Sequence, residues 1–187
     1  LKNCGSLCFS TVQRVIFNGD TLPKGFISAI TLDEFDSNDG VEAVKVCLKN
    51  IDKTIYIPKQ MSQIGIETAI FHLEGCSLTE ADTYLFDSAY RFANVADSAF
   101  LAAMEECFTN NNEEAKEFLK KNSTRIVDKL LEEEDESGLE RISRLGVVSE
   151  EQLKRIGELA ERKEWAALSA YVMNQVDDSD DEDTFSL

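Results

Sequence analysis

His72 is the only histidine in the chain, and it stands four residues before Cys76. Cys4 and Cys8 share that spacing. Two such pairs hold the four nitrogen and sulfur ligands that a tetrahedral Zn²⁺ site needs. Gly75, however, ends a helix between His72 and Cys76, and cysteine is commonly buried with no metal at all. The expectation is a core histidine and core thiols, with no metal and no cofactor. Cysteine nucleophilic chemistry also depends on His72 as its base. Cys47, Cys76 and Cys107 lie in apolar runs, where a thiol stays protonated and inert. Carboxylate acid/base chemistry needs one desolvated member with a raised pKa. The acid-rich runs Glu132–Glu136 and Asp180–Asp183 instead belong to polar faces. The nine glycines are dispersed and form no phosphate loop. The chain reads as a non-enzyme.

One set of carboxylates is regularly spaced. Residues 61–110 contain eight acids and a single base, Arg91. Glu67 and Glu74 are seven apart, as are Glu80 and Asp87, with Asp82 between the latter pair. Asp97 and Glu105 are eight apart, with Glu106 alongside. On helices, seven residues return to the same face ~10 Å further along. Each of three helices is expected to carry a carboxylate row opposite its apolar stripe. Such a face imitates a phosphate backbone, which proteins that hold DNA through Lys and Arg bind as a ligand. An acidic solubilising surface accounts for the same charge.

The elements that must position these acids follow from periodicity. Residues 1–60 read as strands: Val12–Phe17, Phe26–Leu32, Val44–Lys49 and Thr54–Ile57, with Asn18-Gly19-Asp20 and Asn50–Lys53 as turns. Short connections favour an antiparallel sheet. From Met61 the period becomes helical. Met61, Ile64, Ala69, Ile70 and Leu73 form an apolar stripe stopped by Gly75. SLTEAD at 77–82 starts a second helix, and a third begins near Asp97. Asn110-Asn111-Asn112 marks a domain boundary. Short helices follow: Glu113–Lys121, one capped by Ser123, one from Ser137-Gly138 to Gly146, one capped by Ser149, and one through Trp165, Leu168 and Val172. An apolar echo at an offset of 29 maps Val127, Leu130, Leu131, Leu139 and Ile142 onto Ile156, Leu159, Ala160, Leu168 and Tyr171, as two helical hairpins. Residues 177–187 carry six acids and no base and read as a disordered tail. The expected fold is α+β: a 1–110 domain with a small antiparallel sheet and acidic helices, a 111–176 helical domain, and the 177–187 tail.

Charge narrows the partners. The 187 residues carry 19 basic and 36 acidic side chains, net −17. That excludes direct nucleic-acid binding and disfavours anionic membranes. No apolar run approaches the ~20 residues of a membrane span. Five scattered cysteines are not a disulfide framework. The first ten residues lack the basic start and apolar stretch of a secretory signal, and a cytoplasmic location is expected.

The stretch IGIETAIFHLEGCSLTEADTYLFDSAYRFANVADSAFLAAMEEC, within Met61–Cys107, resembles a segment of the ArdA-type antirestriction proteins of mobile elements. GLERISRLGVVSEEQLKRIGELAERKEWAALSAYVMNQV resembles helical-hairpin tails on proteins of similar elements. The first resemblance covers about a quarter of the chain. It implies a small, acidic, non-catalytic DNA mimic that occupies the DNA groove of a type I restriction enzyme. The partner-binding positions it implies are Glu67, Glu74, Glu80, Asp82, Asp87, Asp97, Glu105 and Glu106. The neutral residues 1–60 and the eleven bases of 111–176 depart from that family's continuous acidic surface. The expected partner is a basic-surfaced protein such as a DNA-binding enzyme. The alternative is an interaction scaffold built on the C-terminal hairpins.

Overall fold

The computed structural model describes residues 12–19, 21–33, 43–75 and 96–180. The fold is α+β, in two compact units, Leu1–Ala115 and Lys116–Leu187. Among the described residues no helix is long and apolar enough to cross a membrane.

In the first unit, β1 (Arg14–Phe17), β3 (Ala43–Leu48) and β4 (Lys53–Pro58) form a sheet in the order β1-β3-β4. β1 runs parallel to β3, with Val15 opposite Val46, and β4 runs antiparallel to β3, with Val46 opposite Ile55. The sheet is therefore mixed, not the antiparallel meander that short connections suggest. Two-residue strands β2 (Leu32–Asp33) and β5 (Gln60–Met61) pair in parallel. The segment read as a second strand is instead the helix α1 (Phe26–Ile30), followed by β2. Its buried residues Phe26, Ile27 and Ile30 have helical spacing, and distant side chains hold both its ends. Glu74 accepts hydrogen bonds from the Gly25 N–H (2.6 Å) and the Ile27 N–H (2.8 Å). Lys59, fully buried, donates from Nζ to the Ile30 carbonyl at 2.8 Å. An anion at the helix start and a cation at its end both match the macrodipole. Neither partner is visible in the local sequence, where FISAI suits a strand equally well.

The core of this unit joins Leu22, Phe26, Ile27 and Ile30 to Val44, Val46, Ile55 and Ile57 from the sheet, with Met61 and Ala69. Helix α2 (Gln63–Leu73) starts at Ser62, whose Oγ accepts the Gly65 N–H at 3.2 Å. Gly75 then takes a left-handed conformation, φ 79°, and donates to the Leu22 carbonyl at 3.0 Å. Helix α3 (Ala96–Asn110) lies against β3 and β4.

Asn111 is left-handed (φ 49°) and the Asn112 Oδ1 accepts the Ala115 N–H, so the chain breaks and restarts as α4 (Glu113–Glu132). The division between the units falls within the first turn of α4. The two helices expected between 113 and 131 are this one continuous helix. Asn122 turns its side chain back to the Phe118 carbonyl at 2.8 Å, and no glycine or proline interrupts the run.

In the second unit come α5 (Glu136–Arg144), α6 (Glu150–Arg162) and α7 (Ala166–Asp180). Asp135 caps α5 by accepting the Gly138 N–H at 3.1 Å. Ser149 and Gln152 form a reciprocal capping box on α6. Helix α7 runs on to Asp180, so the acidic run read as a tail from 177 begins inside a helix. The rest of that run lies outside the described residues.

Candidate functional site

The predicted acids divide by what they touch. β4 is an edge strand whose outer side carries the Thr54 carbonyl and the Tyr56 N–H, and the Gln60 N–H follows at the start of β5. Pro58 sits between them and has no N–H to offer, as suits an edge. Side chains of α3 take the place of a fourth strand. Asn110 Nδ2 donates to the Thr54 carbonyl at 2.9 Å, Glu106 Oε1 accepts the Tyr56 N–H at 2.7 Å, and Ser98 Oγ lies 3.4 Å from the Gln60 nitrogen. Four helical residues rise ~6 Å and two strand residues ~6.6 Å. That near match lets residues 98, 102, 106 and 110 keep pace with 60, 58, 56 and 54. In that sequence Ala102, fully buried, corresponds to Pro58, which has no N–H to satisfy. Asn110 Nδ2 also donates to the second Glu106 oxygen at 2.5 Å, and the Tyr56 hydroxyl meets Thr109 Oγ1 at 2.9 Å.

Glu106 therefore does not stand on an exposed row. It is 0% exposed, and its carboxylate serves the fold. Glu74 is half-buried, with both oxygens engaged at the start of α1. It is thus turned away from the face that its seven-residue spacing from Glu67 predicts. Glu67 is exposed and accepts from Gln63 Nε2 at 2.8 Å. Glu105 is half-buried. Asp97 lies in the first turn of α3. Glu80, Asp82 and Asp87 lie outside the described residues.

His72 is exposed rather than a core residue, its ring edge-on to Phe71 with centroids 5.1 Å apart. Cys47 and Cys107 are buried and form no disulfide, as their apolar runs imply. Cys4, Cys8 and Cys76 lie outside the described residues. Among the described residues no three His, Cys, Asp or Glu side chains gather into a metal-binding group.

Two features escaped the sequence reading. A polar cleft of about 650 Å³ lies between the β3–β4 turn and the α3–α4 turn, lined by Asp52, Lys53, Thr54, Asn110 and Asn112 among others. The left-handed residues Asp52 and Asn111 shape its two walls. The second feature is the outer face of α2. Ile64, expected in the apolar stripe, is 74% exposed, and Phe71 is 79% exposed. The inward face of α2 is Gly65 and Ala69, with Ile66 and Ile70 packed half-buried against the core beside them, which leaves Ile64 and Phe71 on the opposite side. The out-of-phase pair at 64 and 71 was the available signal.

The second unit repeats itself. The helix α4 ends with Glu134 left-handed (φ 53°), the Asp135 N–H donating to the Leu130 carbonyl (3.0 Å) and the Glu134 N–H to the Leu131 carbonyl (3.3 Å). Thirty residues on, α6 ends with Glu164 at φ 60°, Trp165 bonded to Ala160 (2.8 Å) and Glu164 to Glu161 (3.1 Å). Both are Schellman closures. The period is 30 where side-chain matching suggests 29. Pairs such as Leu130-Leu131 and Leu159-Ala160 allow the apolar match to slide by one residue, and the backbone turn fixes it. At offset 30, Ile126 and Ile156, Leu130 and Ala160, and Ile142 and Val172 are all buried. The hairpins are tied by Gln152 Nε2 to Ser123 Oγ (3.3 Å) and Thr124 Oγ1 (3.2 Å), and by Arg155–Asp128 and Lys163–Glu134 ion pairs. The Arg144 guanidinium lies 5.0 Å from the Tyr171 ring centre.

Comparison of the chain with protein-family models, curated proteins and solved structures found no match. The repeat is not exact, and the departure at Ser143 reaches the surface. Ser143 is 3% exposed, and its equivalent on the last helix, Met173, is 51% exposed. The outward residues Ala166, Ala167, Ala170, Met173, Asn174 and Gln175 carry no charge.

Proposed function

We propose that this chain is a non-enzymatic, acidic protein-binding protein whose helical hairpins carry the docking scaffold for a basic-surfaced partner. The observation that supports this reading best is the 30-residue repeat of backbone closures at Glu134 and Glu164. Stacked hairpins of this kind build extended surfaces that bind other proteins. Where such an array ends on a free helix, that outer face is ordinarily polar. Here it is uncharged around Met173. A net charge of −17 selects basic surfaces among candidate partners and speeds their encounter. The test is affinity capture with the full chain, comparing it with the double variant Ala170→Glu, Met173→Glu. Loss of a captured partner supports the reading, and an unchanged set contradicts it.

A DNA-mimic inhibitor of a restriction or other DNA-handling enzyme is the second reading. The exposed Glu67 and the near absence of bases in residues 61–110 favour it. Its test is the plating of unmodified phage on cells with a type I restriction system. The reversal should use Glu67→Lys, Glu80→Lys and Asp87→Lys and spare Glu74 and Glu106, whose loss disturbs the fold. Rescue of plating that the reversal abolishes supports the mimic; no rescue by the wild type removes it.

A further inference from the structure

Resting on the reading of an acidic protein that binds a basic partner, we propose that the outer face of α2 is the anchor for a basic amphipathic helix of that partner. Phe71 and Ile64 have the highest exposure of the large hydrophobic side chains in the described residues, at 79% and 74%. They are seven residues apart on one helix, hence on one face, about 10.5 Å along its axis. Glu67 lies between them, three residues from Ile64 and four from Phe71, and is exposed. The Thr68 hydroxyl is turned back on the Ile64 carbonyl at 2.8 Å and adds no competing polar group to the face. His72 braces the Phe71 ring from one side. The result is two apolar knobs with a carboxylate between them. A helix entering such a face answers with apolar residues at i, i+3 or i+4, and i+7.

Charge selects the occupant. Residues 61–110 carry eight acids against Arg91. With Glu74 and Glu106 engaged inside the fold, the block remains strongly negative. A second copy of the chain brings another −17 and is repelled, as is an acidic or nucleic-acid partner. A helix with Lys and Arg flanking an apolar stripe matches both the knobs and the field.

The experiment is fluorescence anisotropy with the full chain and a fluorescein-labelled 18-residue Leu/Lys peptide whose leucines follow the helical spacing. A peptide of the same composition in scrambled order is the control for charge alone. The patterned peptide is expected to bind at least ten-fold tighter at 0.15 M salt. Phe71→Ser and Ile64→Ser are each expected to reduce that margin five-fold or more. Both side chains lie outside the core, so the helical circular dichroism of these variants is expected to match the wild type. Equal binding of the two peptides, or binding indifferent to Phe71→Ser, overturns the proposal. So does a dimer in sedimentation velocity that Phe71→Ser converts to monomer, because the face then belongs to a second copy. Capture of a natural partner that survives Phe71→Ser but not Met173→Glu overturns this face and leaves the hairpin reading standing. Capture with the reverse dependence supports the α2 anchor and overturns the hairpin reading.

Discussion

Replacing Glu106 with Ala is expected to destabilise the first unit by about 3–5 kcal/mol. The carboxylate is fully buried and accepts from the Tyr56 N–H at 2.7 Å and from Asn110 Nδ2 at 2.5 Å. A charge-assisted hydrogen bond contributes ~1.5–3 kcal/mol, and an orphaned buried N–H costs ~1–3 kcal/mol. The space left by the shortened side chain adds to this. Glu106→Gln separates the terms. Its amide oxygen can still accept from Tyr56, but its NH₂ then faces the NH₂ of Asn110. Relief requires Asn110 to flip, which removes its donor from the Thr54 carbonyl at 2.9 Å. One neutral hydrogen bond is thereby lost, about 1 kcal/mol. Urea unfolding followed by far-UV circular dichroism gives the ranking, wild type above Gln above Ala. Hydrogen exchange at the Tyr56 amide gives the local cause, with protection lost in the Ala variant. The sign is diagnostic. In a chain of net charge −17, removing an exposed acid relieves self-repulsion and is neutral or stabilising. A Glu106→Ala protein as stable as the wild type, with Tyr56 still protected, would refute the edge-capping role of α3.

Four further substitutions test the local geometry. Glu74→Ala removes the acceptor of two α1 N–H groups and is expected to cost about 1–2 kcal/mol in urea unfolding, near the upper end for a lost N-terminal cap. Gly138→Ala puts a methyl 2.6 Å from Leu130 Cδ2 and against Asp135 Oδ2, so its midpoint should fall by the equivalent of about 1–3 kcal/mol. Gly157→Ala meets only the Val172 side chain, Cγ1 at 3.2 Å and Cβ at 3.9 Å, and its gain in helix propensity, up to ~1 kcal/mol, should leave it neutral or stabilised in the same assay. Glu164→Gly relieves a left-handed non-glycine residue at φ 60° and is expected to raise thermal stability by about 1 kcal/mol, a test of the second Schellman closure.

The legible parts of this chain are those whose cause is local. The Ser149–Gln152 capping box, the strand at Ala43–Leu48 and the break at Asn110–Asn112 all follow from neighbours within four residues. The illegible parts depend on distant groups. FISAI becomes a helix because Glu74 and Lys59 hold its ends, and both lie far away in sequence. The parallel pairing of β1 with β3 is likewise non-local. For the candidate site, spacing placed Glu67 and Glu74 on one helix face. It gave no sign that Glu74 would be drawn to Gly25 and Ile27, or Glu106 to an edge strand. A carboxylate row is a pattern of charge, and only the backbone N–H groups around it decide which members face water.

Quantitative affinity capture with the full chain tests the central claim most directly, performed at 0.15 M and 0.5 M salt with the wild type and the Ala170→Glu, Met173→Glu variant. The expected result is at least one protein of basic pI enriched ten-fold or more by the wild type at 0.15 M. Its recovery should fall at 0.5 M salt and disappear with the variant. A captured set identical for wild type and variant, with no basic protein enriched, would contradict the account.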